Sequence, residues 1–287
     1  MRIAIIGAGR VGTALAVHWL HAGHEVAVAL HRRSTKEHHD RYLSDTPLIP
    51  AGEAAKTAAV VALGVPDTFI EEVCIELAAE GSLKPRQSVL HLSGAMGLSA
   101  LRAAEEAGAS ILSVHPLQTF PSVESAIARM RGAPMAVTAE DEEASLLGER
   151  LARDAGGQPF RLPDDVRPLY HAAAVFASNY LVTIAAEAES LFGAAGVPEP
   201  DRVFIPLSQA SLDNVAQMGP EAALTGPVVR GDATTVQRNL EALEASAPDA
   251  IRSYVVLADL ELEMAARWGR LSADDRAAVE EVLARWR

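Results

Sequence analysis

The chain has 287 residues, room for one large domain or two ordinary ones, and 49% of them are hydrophobic, enough for a packed core. A formal charge of −13 excludes a general nucleic-acid binder, which needs a basic footprint, but leaves room for a local basic pocket. The single cysteine, Cys74, excludes an internal disulfide framework and a cysteine zinc cluster, and it reads as a small buried hydrophobe.

Residues 1–6 enter a strand-like run at once and carry none of the marks of a secretory signal. The next elements alternate. Short apolar runs at 3–6, 25–30, 59–63, 88–92, 110–114 and 134–138 read as strands, with a last one at 158–162. Helical periodicity covers 11–21, 68–79, 98–107 and 141–154, while 31–40 is polar and reads as a loop. Such alternation implies a parallel, doubly wound sheet. Pro163-Asp164-Asp165 marks a change of character. Beyond it the pattern is all helical, over 166–195, 199–217, 232–245, 249–268 and 272–286, with Gly and Pro between the segments. The longest apolar stretch, 172–186, is short for a bilayer span and contains Ser178 and Asn179. The expected fold is α/β: an N-terminal doubly wound Rossmann domain over 1–163, then an all-α domain over 164–287. A cytoplasmic protein with neither membrane nor nucleic-acid partners is expected.

The run Gly7-Ala8-Gly9-Arg10-Val11-Gly12 fits G-x-G-x-x-G, with a strand before it and a helix after it. Gly7 permits the tight turn, Gly9 lets the backbone approach a pyrophosphate, and Gly12 lets the helix pack on the strand. The helix N-terminus adds free N–H groups and positive dipole. An unliganded glycine turn is the plainer alternative. At the end of the second strand an NAD enzyme usually carries an acid for the ribose hydroxyl. This chain has His31-Arg32-Arg33-Ser34 instead. Two guanidinium forks and a hydroxyl suit a 2′-phosphate, which favours NADP(H) over NAD(H); a solvated basic loop is the alternative. Val65-Pro66 and Ser93-Gly94 end the third and fourth strands and read either as cofactor contacts or as plain turns.

Three places carry candidate chemistry. His115 ends the fifth strand, where a histidine can exchange a proton with a substrate oxygen near neutral pH, or simply hold a loop. Tyr170-His171 and Ser178-Asn179 lie on one apolar helix. On that helix His171 and Asn179 stand ~12 Å apart along the axis, either facing a cleft or bonding a neighbouring helix. Arg230 can clamp a carboxylate or phosphate or pair with an acid, and Asp232 reads as the cap of the following helix. No histidine spacing suggests a metal site, and neither a nucleophile elbow nor paired carboxylates suggest hydrolysis.

Together the glycine loop, His115-Pro116-Leu117-Gln118-Thr119-Phe120, the stretch from His171 to Asn179, and Leu224-Thr225-Gly226-Pro227 through Arg230-Gly231-Asp232 resemble a bacterial family. Its members join a Rossmann-like domain to a helical domain of unknown function, number 2520. The wider architecture is similar to ketopantoate reductases, pyrroline-5-carboxylate reductases, prephenate dehydrogenases and 3-hydroxyacid dehydrogenases. The resemblance implies a helical domain over the nicotinamide and a homodimer formed through it. In ketopantoate reductases a Lys is followed by Asn four and eight residues later; here His171, Val175 and Asn179 occupy those places. The His-Pro pair of prephenate dehydrogenases is matched by His115-Pro116.

The resulting expectation is an NADP(H)-dependent reductase of a small 2-oxo acid. His171 or His115 gives the proton, Asn179 orients the substrate, and Arg230 holds its carboxylate. An imine reductase or dehydrogenase acting on another carboxylated substrate is the second reading. A non-catalytic NADP(H)-binding redox sensor is the third.

Overall fold

The computed structural model describes residues 1–31 and 36–287 and forms two compact units, Met1–Ser178 and Asn179–Arg287. The first unit opens with β1 (Arg2–Ile6), α1 (Arg10–His21), β2 (Glu25–Ala29), α2 (Lys36–Tyr42), α3 (Ala51–Thr57), β3 (Val60–Leu63) and α4 (Ile70–Ala79). It continues through β4 (Ser88–His91), α5 (Arg102–Glu106), β5 (Ser110–Pro116), α6 (Val123–Met130), β6 (Pro134–Ala139), α7 (Glu142–Asp154), β7 (Gln158–Arg161) and α8 (Arg167–Ala177). The second unit holds α9 (Asn179–Ala194), α10 (Pro200–Ala223), α11 (Ala233–Ser246), α12 (Ile251–Arg267) and α13 (Ala273–Ala284).

The seven strands form one sheet in the order β2-β1-β3-β4-β5-β6-β7. Strands of a sheet covered on both faces read as continuous apolar runs, because successive side chains enter opposite cores. In β1, Ile3 and Ile5 join Trp19, Leu15 and Val28 on one face. Ala4 and Ile6 join Val61, Leu63 and Cys74 on the other. Burial pushes the Cys74 thiol up to about 11, so it behaves as packing.

All pairings are parallel except β5 with β6. The wholly parallel sheet read from the alternation is corrected there. The connecting α6 lies on α1, where a His18 ring nitrogen meets the Ile127 carbonyl at 2.9 Å. It makes no crossover over the sheet, so β6 returns in the opposite direction. Three short helices also escaped the sequence reading: α2, in what was read as a loop, α3, and α6.

The helix expected over 166–195 is two helices, broken at Ser178 (φ −129°, ψ −68°). Serine and asparagine offer the backbone competing local hydrogen bonds, and the pair Ser178-Asn179 stands at the break. The helical run Asp164–Ala194 contains an 18-residue window that by length and composition could cross a membrane. Its first half carries Arg167, wholly buried and hydrogen-bonded to the sheet loops, which fixes α8 as part of the α/β unit.

In the second unit the core comes from α11, α12 and α13, with Val236, Leu240, Val255, Leu262, Val279 and Leu283 buried together. Helices α9 and α10 pair with each other, yet α9 buries no residue and α10 buries only Phe204. Helix α10 kinks at Gly219 (φ 79°, ψ 165°), immediately before Pro220.

Candidate active site

The carboxyl ends of β1, β3, β4 and β5 lie side by side, at the point between β1 and β3 where the strand order reverses. In an open α/β sheet this is where ligands bind. Three glycines lock the β1 and β3 ends together. Gly7 has φ +96°, and a side-chain Cβ there falls 2.8 Å from the Gly64 carbonyl carbon. A Cβ on Gly12 falls 2.5 Å from the Gly7 oxygen, and one on Gly64 falls 2.6 Å from that same oxygen. Gly9 differs: its Cβ meets nothing nearer than the Gly64 oxygen at 3.8 Å. Packing therefore demands glycine at 7, 12 and 64, whereas the bare backbone at Gly9 leaves space open to a ligand.

Gly9 stands at the N-cap of α1 with no side-chain cap, and the first turn holds no acid. Its N–H groups form a ready anion site. Ala8 is buried, with its carbonyl taken by the Thr13 hydroxyl at 3.2 Å. The Arg10 guanidinium donates to the Phe120 carbonyl at 3.0 Å, and Val11 is half-buried. Val65 packs on Gly7, and Pro66 is exposed at the start of the turn that follows. Arg32, Arg33 and Ser34, on which the 2′-phosphate reading rests, lie outside the described residues.

Ser93 is fully engaged within the protein. Its hydroxyl donates to Asp67 Oδ2 at 2.7 Å and accepts from the N–H groups of Ala95 (3.2 Å) and Met96 (3.0 Å). That uses its donor and both acceptor positions. Gly94 has a steric duty: a Cβ there falls 2.6 Å from His115 Cε1 and 2.8 Å from Nε2. The imidazole occupies the space a side chain at 94 would fill.

His115 is half-buried, and its Nδ1 lies 2.9 Å from the Tyr170 hydroxyl. The two rings meet edge-on, centroids 5.6 Å apart at 89°, and Phe160 flanks the tyrosine at 6.1 Å. Burial, then Arg167, then His171 push His115 down to about 4, and burial pushes Tyr170 up to about 12. Both are therefore neutral at pH 7, so His115 is not the imidazolium that a neutral-pH proton donor suggests. Below them Arg167 donates Nε to the Met96 carbonyl at 2.6 Å and Nη1 to the Thr138 hydroxyl at 2.7 Å, and Nη2 donates to the Ser93 carbonyl. His91 is fully buried beside this cation, and burial pushes it down to about 3.

The first unit thus brings together the glycine loop, Val65, Ser93, Gly94, His115 and His171. His171 is half-buried, with a buried Nδ1 that has no hydrogen-bond partner among the described residues. Asn179 and Arg230 belong to the second unit. Asn179 begins α9 and accepts the Thr183 hydroxyl on its carbonyl at 3.1 Å. Because the helix breaks at Ser178, the single-helix spacing from His171 to Asn179 does not apply. Arg230 is exposed, two residues before Asp232, whose carboxylate caps α11 through the Thr235 N–H at 3.0 Å. The sequence names Tyr170 only as the neighbour of His171 and assigns it no role, and Arg167, Asp67 and Thr138 carry no role there either. The one available signal was Arg167, a lone cation heading an apolar helix.

Two family models match the chain: a Rossmann-like domain over residues 1–116 and a domain of unknown function, DUF2520, over residues 133–260. No curated protein matches. Among solved structures, a Bacteroides fragilis protein named as an NADP oxidoreductase is 22% identical, with a TM-score of 0.74 over 91% of this chain and 97% of its own. Protein TM1727 of Thermotoga maritima is 24% identical, with a TM-score of 0.71 over 92% of this chain and 98% of its own. The Myxococcus stipitatus imine reductase in complex with NADP+ is 16% identical, with a TM-score of 0.69 over 100% and 99% of the two chains. At these identities the likeness is one of fold. The chain accordingly joins a Rossmann-like domain to a DUF2520 domain.

Proposed function

We propose that this protein is an NAD(P)-dependent reductase, with NADPH favoured, acting on the carbonyl of a small 2-oxo acid. The observation that carries this reading is the neutral His115, held between Gly94 and Tyr170 at the end of β5, on the same sheet edge as an uncapped glycine loop. Three strand spacings separate β1 from β5, about 14 Å along that edge. The open backbone at Gly9 and the first turn of α1 fit a pyrophosphate. When bound, the cofactor supplies the hydride. His115 then hydrogen-bonds the substrate oxygen as a neutral imidazole, stabilising the charge that develops there, and the alkoxide takes the proton that completes the alcohol from water, directly or relayed through the imidazole. His171 is the second candidate for this duty, and orientation by Asn179 and carboxylate binding by Arg230 are part of the proposal.

The test is NADPH oxidation against a panel of 2-oxo acids and cyclic imines. Turnover of a 2-oxo acid that is lost in His115→Ala, His171→Ala or the double variant supports the reading; turnover that survives all three overturns it. Fluorescence titration with NADPH and NADH, repeated with Arg32 and Arg33 replaced, decides the cofactor preference. An imine reductase is the second reading, favoured by the end-to-end fold likeness to a protein of that name; turnover of imines alone selects it.

The second unit is proposed to form a homodimer in a cytoplasmic protein. Tyr180, Val182 and Ile184 on α9, Ile205 and Leu207 on α10, and Val256 on α12 are all exposed. So much apolar surface on one small helical unit is the mark of an interface, and a second copy brings a matching apolar face.

A further inference from the structure

We propose that Tyr170 is a positioning residue for His115: its hydroxyl donates to Nδ1 and so fixes the proton on Nε2, the nitrogen presented to substrate. The proposal rests on the reductase reading.

The geometry begins with Arg167. It is fully buried at the start of α8 and tied to two carbonyls of the loop after β4 and to the Thr138 hydroxyl on β6. Residues three apart on a helix share a face, so this anchor also aims Tyr170 at the end of β5. Phe160 on β7 flanks the phenol ring. On the other side the backbone of Gly94 lies against the imidazole, closely enough that a Cβ at 94 clashes with three ring atoms. The ring is thus held between a glycine and a hydroxyl, with Nδ1 committed to Tyr170 at 2.9 Å.

The direction of that bond follows from the protonation states. A neutral imidazole has one N–H and one bare nitrogen, and a neutral phenol has one O–H. The groups facing the pair from the surrounding elements are Arg167 and His171 on α8 and His91 on β4; Arg167 keeps its charge, and neither it nor His91 favours protonating His115. The bare imidazole nitrogen is a stronger acceptor than a phenol oxygen, so Tyr170 donates and Nδ1 accepts. The remaining proton sits on Nε2. Without Tyr170 the two neutral tautomers come close in energy, and a share of the molecules present a bare nitrogen where the substrate oxygen needs a donor.

The experiment uses full-length protein labelled with 15N-histidine, free of cofactor, with the His115 signals assigned from His115→Gln. Wild type is expected to show a protonated Nε2 and a bare Nδ1, and Tyr170→Phe a mixture of tautomers. Phe160→Leu, which loosens the tyrosine packing but leaves its hydroxyl, is expected to keep the wild-type pattern. In turnover, Tyr170→Phe is expected to lower kcat about tenfold with KM changed less than threefold, as for loss of one hydrogen bond. Protonation at Nδ1 in wild type, or a spectrum unchanged in Tyr170→Phe, overturns the proposal. A tautomer shift in a protein that turns over no 2-oxo acid or imine overturns the reductase reading instead, and with it the catalytic purpose of the pair.

Discussion

The two units bury their side chains in different ways. In the α/β unit the carboxyl edge of the sheet is closed upon itself: glycines interlock, the Ser93 hydroxyl is saturated, and Arg167 spends three donors on two loop carbonyls and the Thr138 hydroxyl of β6. In the helical unit three helices make a core while α9 and α10 hold most of their apolar side chains outward. The first arrangement is what a preorganised site requires, because groups locked by their neighbours need no rearrangement when charge develops. The second leaves an apolar face exposed. Substitutions should therefore act through stability and chemistry in the first unit and through association in the second.

The largest effect expected is at the glycine lock. Gly12→Ala and Gly64→Ala each push a methyl into the Gly7 carbonyl and should cost upwards of about 3 kcal/mol, read as a collapse of the urea midpoint. Gly9→Ala should leave the midpoint within about 1 kcal/mol while weakening NADPH binding at least tenfold. Equal destabilisation at 9 and 12 would erase the distinction between lock and cradle.

Next comes Arg167→Met, which strands the carbonyls of Ser93 and Met96 and should cost roughly 3 kcal/mol in chemical denaturation. Lysine should rescue little, because one ammonium cannot reproduce the fork.

A pH dependence follows from the same pocket. His115 and His91 have folded pKa values of about 4 and about 3, below the usual 6.5, so the unfolded chain binds more protons in between. Stability from these groups is complete above pH 6.5 and falls on acidification, by roughly 3 kcal/mol for His115 by pH 4. In His91→Gln the loss between pH 6.5 and pH 4 should be smaller; an unchanged slope would remove His91 from the account.

The smallest thermodynamic effect is expected in the second unit. Val182→Glu or Ile205→Glu should leave Tm nearly unchanged for the folded monomer, since both sites are already exposed, yet halve the mass measured by light scattering. A wild type that is monomeric at tens of micromolar would remove the dimer and require another cover for that face.

Much of this was legible in the sequence. The first six strands and the helical second half follow from apolar periodicity, since a sheet covered on both faces leaves near-continuous apolar runs, whereas β7, Gln158–Arg161, is mostly exposed and carries no such run. The glycine loop was readable because three glycines flanked by strand and helix have one shared cause. The reversal of β6 was not, because a short α6 can either cross the sheet or lie on α1, and periodicity is blind to which. The break at Ser178 was hidden by an apolar pattern that continues across it. The roles of Tyr170 and Arg167 stayed hidden because their partners, His115, Ser93 and Met96, are 55 or more residues away in sequence.

Arg167 also has a bearing on how the molecule can be dissected. A fragment ending at Pro163, where the composition changes, discards α8 and leaves the loop oxygens of Ser93 and Met96 facing an empty slot. A fragment ending at Ser178 keeps the clasp and the whole His115 pocket with it. For anyone grafting this α/β unit onto another partner, the seam belongs after the first helix that reads as helical-domain sequence, not before it.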